Sequence, residues 1–150
     1  MSDNFQENFS SRVTTVTNSP VAIATIDDDD ASGKLALVAV DAASDRKAGD
    51  ILLLKVAEVS YLADYFVFAT GYSRVQVRAI ADSIEDKIQQ ELRRIPLRTE
   101  GKGEGSWVLY DYGDVLVHVM MPKEREFYNL EAFWSHGTPI ELKSADSSES

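Results

Sequence analysis

Apolar residues recur at helical spacing in three parts of the chain. Leu35, Val38 and Ala42 lie on one stripe, which predicts a helix that Ser32 would cap and Gly49 would stop. A second, longer stripe predicts a helix after Gly71, and its members are Val77, Ile80, Ala81, Ile84, Ile88 and Leu92. Ser73 and Gln76 before it have the spacing of a capping box. Pro96 prevents the helix from continuing. A last helix is predicted to begin at Pro122 and to turn Phe127, Leu130 and Trp134 inward.

Between these helices, runs of branched and aromatic residues predict strands. The runs are residues 51–59, 65–69, 97–99, 107–112 and 115–121, and the second is apolar enough to be buried on both faces. Gly113 lies between the last two runs and can supply the unusual backbone angle of a hairpin turn. The predicted order is αββαβββα. It indicates an α/β fold with a mixed sheet of about five strands covered by helices.

Composition changes near both ends of the chain. Residues 1–33 are rich in Ser, Thr, Asn and Asp and finish in four consecutive aspartates, which predicts a disordered acidic N-terminal tail. Residues 144–150 have the same composition, so we expect a disordered C-terminal tail and one folded domain over residues 34–143. That domain carries 14 of the 15 basic and 17 of the 25 acidic residues, so most of the net charge of −10 comes from the tails.

Charge and cysteine content exclude several classes of function. There is no cysteine and there are two distant histidines, so we expect neither a disulfide framework nor a metal site. No stretch is long and apolar enough for a membrane helix. The local basic cluster of Arg93, Arg94 and Arg98 is small, so we expect little direct contact with RNA. A mildly acidic domain suits a basic protein surface better.

Three features could carry chemistry, and each has a structural alternative. The glycine-rich loop 101–106 leads into a strand instead of a helix, so it does not match a phosphate-binding loop. Asp111 and Asp114 stand three apart across the predicted turn, a spacing that fits turn hydrogen bonds better than a two-metal nucleotidyl-transfer site. His118 shares a strand face with Leu116 and Met120 and lacks a nearby catalytic partner. For His118, a structural or docking role is therefore favoured over catalysis.

Aromatic residues are concentrated in the predicted hairpin and just after it. Trp107, Tyr110 and Tyr112 lie on the hairpin, and Phe127, Tyr128, Phe133 and Trp134 follow. Aromatic side chains belong to the core by default, but half-exposed ones at strand ends commonly anchor protein interfaces. From the residues alone, core and contact roles for Trp107 and Tyr112 both stay open.

The hairpin also carries a specific resemblance. Residues 107–119, reading WVLYDYGDVLVHV after a Glu-Gly pair at 100–101, resemble the signature of the ribosomal silencing factor family RsfS, also called Iojap-like. Residues 63–81 are similar to the family's A-D-Y-F-V, T-G-x-S and V-x-A-x-A patterns. Residues 125–134 are similar to its R-x-x-Y-x-L-E-x-x-W ending. The resemblance covers about residues 34–142, in order and with short gaps.

This resemblance implies a nucleotidyltransferase-like fold without the enzymatic chemistry. It implies a translation repressor that binds the large ribosomal subunit through ribosomal protein fourteen and sterically blocks subunit joining, with no cofactor. Onto matching positions it carries an interface role for Trp107 and Tyr112, and by proximity for Asp111, Asp114, His118 and Met120. A homodimer is a further expectation for the free protein, because an aromatic docking surface can self-associate.

The sequence departs from the family pattern in two places. Tyr72 stands where the family usually has a small polar residue, and the acidic segment before residue 34 has no place in the common domain. Because plastid transit peptides are poor in acidic residues, a bacterial cytoplasm is favoured over a plastid stroma.

Two functions remain as alternatives to a ribosomal silencing factor. One is a nucleotidyltransferase-type enzyme, which requires metal-dependent turnover. The other is a dimeric scaffold, which requires self-association without ribosome binding.

Overall fold

A computed structural model describes residues 26–57, 63–129, 132 and 137–142. The elements are helix α1 (Ala31–Asp45), strands β1 (Gly49–Lys55) and β2 (Tyr65–Thr70), helix α2 (Arg74–Leu92), strands β3 (Arg98–Glu100), β4 (Trp107–Asp111) and β5 (Val115–Met120), helix α3 (Pro122–Tyr128) and strand β6 (Thr138–Pro139). In this part of the chain, no helix combines the length and the apolar character needed to cross a bilayer.

The described strands form one mixed sheet in the order β3-β4-β5-β2-β1-β6. Strands β2 and β5 are parallel, and the other neighbours are antiparallel. The predicted α/β class and element order are confirmed, with β6 as an additional sixth strand. Strand β6 has two residues, one of them Pro139, and pairs with the end of β1 at Leu54 and Lys55. It is too short to show alternation, which is why the sequence did not reveal it.

Helices α1 and α2 cover one face of the sheet. Alternation along β5 sends Val115, Val117 and Val119 to this face, where they are fully buried. The apolar stripe of α2 meets them, and small residues of α1 such as Ala39 and Ala43 let that helix approach closely. We call this the helix face. It contains the larger of the two hydrophobic clusters.

The opposite face of the sheet, which we call the open face, holds a smaller cluster. Leu52, Leu54, Phe66 and Phe68 belong to it, and Leu116 packs against it. Because β2 contributes side chains to both clusters, all six of its residues are buried, as predicted for residues 65–69. Helix α3 packs on this side of β5 through Arg125, which makes a hydrogen bond of 2.8 Å to Thr70 of β2.

The start of the domain differs from the prediction. Asp30 caps α1 by accepting a hydrogen bond of 2.9 Å from the backbone N–H of Gly33, so the predicted cap at Ser32 was wrong. Ile26 packs against the core and occupies the space where a side chain at Gly33 would stand. The predicted domain start at residue 34 is therefore too late. The other predicted tail residues, 1–25 and 144–150, lie outside the described residues.

Helix α2 begins as its sequence predicted. The Ser73 hydroxyl accepts a hydrogen bond of 3.0 Å from the Gln76 backbone N–H, and the Gln76 amide oxygen accepts one of 2.7 Å from the Tyr72 N–H. The first bond satisfies a donor that a helix start leaves without a partner, and the second ties the Gln76 side chain to the residue before the cap. The helix ends at Leu92, and Arg93 adopts a left-handed conformation before Pro96.

The loop between β3 and β4 is fastened to α2. Lys102 lies 2.8 Å from an Asp82 carboxylate oxygen and 3.2 Å from one of Glu85. Arg78 donates hydrogen bonds to the backbone oxygens of Gly103 and Glu104. The glycine-rich loop thus uses its one lysine to hold the helix, and it leads into β4 as expected.

Candidate docking surface

Trp107 is positioned by the hairpin of β4 and β5. It stands directly opposite Met120 in the antiparallel register and diagonal to His118. Its indole N–H donates a hydrogen bond of 3.2 Å to Nδ1 of His118, and the ring remains half-buried at the edge of the open face. One side of the indole is therefore fixed by the sheet while the other reaches the surface.

His118 is a buried member of the open face. Its ring stacks on Phe68 with centroids 5.0 Å apart and lies edge-on to Phe66 at 6.1 Å. Burial, followed by the positive charge of Arg125, lowers the pKa of His118 to about 4. The imidazole is neutral at physiological pH. Because Nδ1 accepts from Trp107, the ring proton must reside on Nε2.

Two further aromatic rings extend this cluster into solvent. Tyr128 lies against Trp107 with ring centroids 4.8 Å apart, and Phe127 meets Tyr128 edge-on at 4.9 Å. Phe127 is 78% exposed and Tyr128 is 51% exposed. We define Trp107, Phe127 and Tyr128 as the aromatic surface. Exposed aromatic clusters of this kind, supported from beneath by packed rings, are typical of protein interfaces.

The prediction that Phe127 points inward was wrong, because Arg125 takes the core-facing position of α3. The guanidinium donates to the backbone oxygen of Asp50 and to the Thr70 hydroxyl, and it lies 5.8 Å from the Phe68 ring centroid. A charged residue with these partners gives no apolar periodicity, so the sequence did not reveal its burial. Leu130 and Trp134, which were also predicted to point inward, lie outside the described residues.

Of the predicted contact residues, Tyr112 is buried in the helix face. Its ring is 2% exposed and packs in the core of the helix face beside Tyr110, with ring centroids 6.2 Å apart. Of the two roles that the sequence left open for Tyr112, this placement favours the core role and speaks against the interface role that the resemblance implies. His118 and Met120 are also buried, but they lie directly behind Trp107 and hold it in place.

Asp111 and Asp114 lie at the opposite end of the hairpin from Trp107. The Asp111 carboxylate accepts a hydrogen bond of 2.8 Å from the Gly113 N–H, as predicted for turn chemistry, and Gly113 has a φ of 94°. Asp114 accepts hydrogen bonds of 3.0 and 2.8 Å from Arg94 and one of 2.7 Å from the Ser32 hydroxyl. The turn is thereby tied to the beginning of α1.

The electrostatics of Asp114 follow from these contacts. Partial burial opposes ionisation of the carboxyl group, but the hydrogen bonds from Arg94 and Ser32 outweigh this effect and lower its pKa below the usual value. Arg94 also donates a hydrogen bond of 2.8 Å to the backbone oxygen of Tyr112. Among the described residues, no group of three or more histidine, aspartate or glutamate side chains is arranged to hold a metal ion.

Comparison with known proteins identifies the family. Residues 29–150 match the family model described as ribosomal silencing factor during starvation, RsfS. The chain belongs to the RsfS family. It is 43% identical over 105 residues to the Bacillus subtilis ribosomal silencing factor RsfS, covering 70% of this chain and 88% of that protein. The family resemblance inferred from the hairpin signature is confirmed.

Plant members of the RsfS family are similar as well. The Arabidopsis thaliana chloroplastic protein Iojap is 37% identical over 129 residues, which is 84% of this chain and 52% of that protein. The chain thus spans about half the length of this relative. The crystal structure of a Chromobacterium violaceum protein matches with a TM-score of 0.66 at 35% identity, covering 75% of this chain and 89% of that one. RsfS membership supports a ribosome-associated role in silencing translation.

Proposed function

We propose that this protein binds the large ribosomal subunit through ribosomal protein fourteen and blocks joining of the small subunit sterically. Such a mechanism needs neither turnover nor a cofactor. The observation that carries the proposal is the aromatic surface of Trp107, Phe127 and Tyr128, built on the hairpin signature of a family of ribosomal silencing factors. Its site of action would be the cytoplasm of a bacterium.

The aromatic surface has the physical properties of an interface anchor. Tyr128 and Phe127 expose large apolar rings, and Trp107 is held from below by its hydrogen bond to His118. Because the indole is already fixed in one orientation, docking would cost little side-chain entropy. Large aromatic side chains of this kind commonly supply most of the binding energy in protein complexes. Asp111 lies on the same face of β4 and would be a peripheral acidic contact.

The charge distribution favours a basic protein over RNA as the partner. Arg94 is already engaged by Asp114, and Arg98 lies 3.4 Å from Glu100 and 3.7 Å from Asp111. Two of the three arginines that could have contacted phosphates are thus neutralised within the domain. The acidic chain, with a net charge of −10, would be steered towards the basic surface of a ribosomal protein.

Co-sedimentation with purified ribosomal subunits, followed by light scattering of their joining, tests the proposal. The full chain should pellet with the large subunit, stay in solution with the small one, and inhibit joining. Phe127→Ala should weaken both effects, because Phe127 is highly exposed in the aromatic surface. Leu37→Ala is the matched control, since Leu37 is an exposed apolar residue of α1 on the helix side of the sheet.

Three results would overturn the proposal. The first is the absence of binding to the large subunit at physiological salt. The second is binding that leaves subunit joining unaffected, since the mechanism is steric. The third is binding that tolerates Phe127→Ala and Trp107→Ala as well as it tolerates Leu37→Ala, because docking would then use another surface.

A further inference from the structure

Helix α3 carries two of the three aromatic-surface rings but buries almost nothing of its own. It is seven residues long, and no side chain caps its first turn. Isolated helices of this length are unstable in water, so contacts with the rest of the domain must fix it. Every residue of α3 is described, and the only buried one is Arg125. This charged side chain is therefore the part of α3 that enters the interior of the domain.

The guanidinium of Arg125 reaches two strands of the sheet. It donates hydrogen bonds to the backbone oxygen of Asp50 on β1 and to the Thr70 hydroxyl on β2. It also lies 5.8 Å from the centroid of the Phe68 ring. Because a guanidinium is a planar fork with donors in fixed directions, these partners set the orientation of the side chain as well as its position. The place of α3 on the sheet follows from them.

The backbone of β1 is shaped to receive this side chain. Asp50 has a φ of 44°, in the left-handed region that residues other than glycine seldom adopt. The register between β1 and β2 shifts between Gly49 and Leu52, so Asp50 stands at an irregularity of the ladder. Irregularities of this kind take backbone groups out of strand pairing. The Asp50 carbonyl thus accepts from Arg125 instead of taking part in the β1–β2 register.

Arg125 also acts on the hairpin half of the aromatic surface. The indole N–H of Trp107 needs a neutral imidazole at His118 as its acceptor. Burial is the first cause that lowers the pKa of His118, and the positive charge of Arg125 is the second. Tyr128 of α3 meets Trp107 with ring centroids 4.8 Å apart, which joins the two halves. Both halves of the surface are therefore influenced by the same arginine.

From these contacts we infer that Arg125 is a positioning residue of the aromatic surface. It locks α3 against β1 and β2 and so sets Phe127 and Tyr128 beside Trp107 in the free protein. Side chains that are already ordered lose less entropy on binding, so the buried arginine raises affinity through the rings without touching the partner. The effect on docking rests on the proposed function, whereas the attachment of α3 is a property of the free protein.

Hydrogen–deuterium exchange of the free full chain tests the attachment. In Arg125→Met the amides of α3 should exchange at least about tenfold faster relative to those of α2. Arg94→Met is the matched control, because it removes an arginine that bonds Asp114 and the backbone oxygen of Tyr112 at the opposite end of the hairpin. It should leave the relative exchange of α3 unchanged. If α3 keeps its full protection in Arg125→Met, another contact holds the helix and the inference is wrong.

Co-sedimentation with the large ribosomal subunit tests the effect on docking. The variants are compared at equal concentrations of folded protein, which circular dichroism measures. Arg125→Met should bind at least about tenfold more weakly than the wild type, and Arg94→Met should bind equally well. Folded Arg125→Met that docks like the wild type would contradict the inference, because the arginine would then serve stability alone.

A double-mutant cycle shows whether Arg125 acts through the rings. In a Phe127→Ala/Tyr128→Ala background the rings of α3 are absent, so Arg125→Met should weaken docking further by less than about threefold. Equal effects in both backgrounds would overturn the inference. If the wild type itself does not bind the large subunit, the proposed function fails, and the exchange experiment still decides whether Arg125 holds α3.

Discussion

The indole N–H of Trp107 donates a hydrogen bond of 3.2 Å to Nδ1 of the buried His118. This bond links the aromatic surface to the core of the open face, where His118 stacks on Phe68. It needs a neutral imidazole, because the protonated ring has no free nitrogen to accept. The geometry of Trp107 is therefore coupled to the protonation state of one buried residue.

Stability is expected to fall as the pH drops through the range in which His118 titrates in the unfolded chain. The pKa of histidine is about 6.5 when unfolded and that of His118 is about 4 when folded. Between these values the unfolded state binds a proton that the native state excludes, so acid favours unfolding. The free energy of unfolding should be about 2 kcal/mol lower at pH 5 than at pH 7.5. Urea denaturation measures it.

His118→Asn is the matched variant for this experiment. An asparagine oxygen can still accept a hydrogen bond from Trp107, but the side chain does not titrate. The loss of stability between pH 7.5 and pH 5 should largely disappear in the variant. If the variant keeps the full wild-type pH dependence, the titrating group is a different one.

Trp107→Ala should reduce docking more than stability. Truncating an interface anchor commonly costs about 2 kcal/mol or more of binding free energy. Because Trp107 is only half-buried, its removal should cost less than the roughly 3 to 5 kcal/mol of a fully buried tryptophan. Thermal denaturation and co-sedimentation with the large subunit measure the two effects. A collapsed melting temperature with unchanged docking by the remaining folded protein would make Trp107 a core residue.

The sequence predicted correctly those elements in which the spacing of apolar residues and the capping or turn residues indicate the same structure. Helix α2 has both its apolar stripe and its capping residues, and the β4–β5 hairpin has alternation together with Gly113. The aromatic surface was predicted only in part. Trp107 was found through the family signature, whereas the exposure of Phe127 depends on Arg125 taking the inward position. The burial of Arg125 can be recognised only in the folded structure, because its partners Asp50 and Thr70 lie on β1 and β2, far away in the sequence.

The N-terminal end of the domain was misjudged for a related reason. Four aspartates in a row predict a solvated segment, yet Asp30 caps α1 and accepts a hydrogen bond of 2.6 Å from the Tyr65 hydroxyl. Burial together with this bond raises the pKa of Tyr65, so the phenol stays protonated and continues to donate. The partner lies 35 residues away in the chain, beyond the reach of local patterns.

Asp114→Asn should lower stability and leave docking unchanged. The substitution removes the charge that pairs with Arg94, which costs about 1 kcal/mol because the arginine is partly exposed. Asp114 lies at the turn end of the hairpin, roughly 20 Å along the β5 direction from the register position of Trp107. Chemical denaturation and co-sedimentation test both statements. Weakened docking by a variant of unchanged stability would return Asp114 to the contact surface.

The pH dependence of stability distinguishes the contribution of Asp114 from that of His118. The pKa of Asp114 is lowered in the folded state, so its contribution to stability is present above the usual range of aspartate and is lost as the pH falls through the lower folded value. Asp114→Asn should therefore flatten the stability profile in stronger acid, and leave unchanged the fall between pH 7.5 and pH 5 assigned to His118.

Gly49 and Tyr72 should be energetically coupled. The Tyr72 phenol lies over Gly49 at the point that a Cβ atom would occupy, so Gly49→Ala forces this exposed ring aside and should bring the wild type no gain in stability. In a Tyr72→Ser background the space is free. There Gly49→Ala should instead stabilise by about 0.4 to 1 kcal/mol, because alanine restricts the unfolded chain. A double-mutant cycle by urea denaturation measures the coupling. Equal effects of Gly49→Ala in both backgrounds would show that the tyrosine yields without cost, and that its place beside β1 does not constrain the residue at position 49.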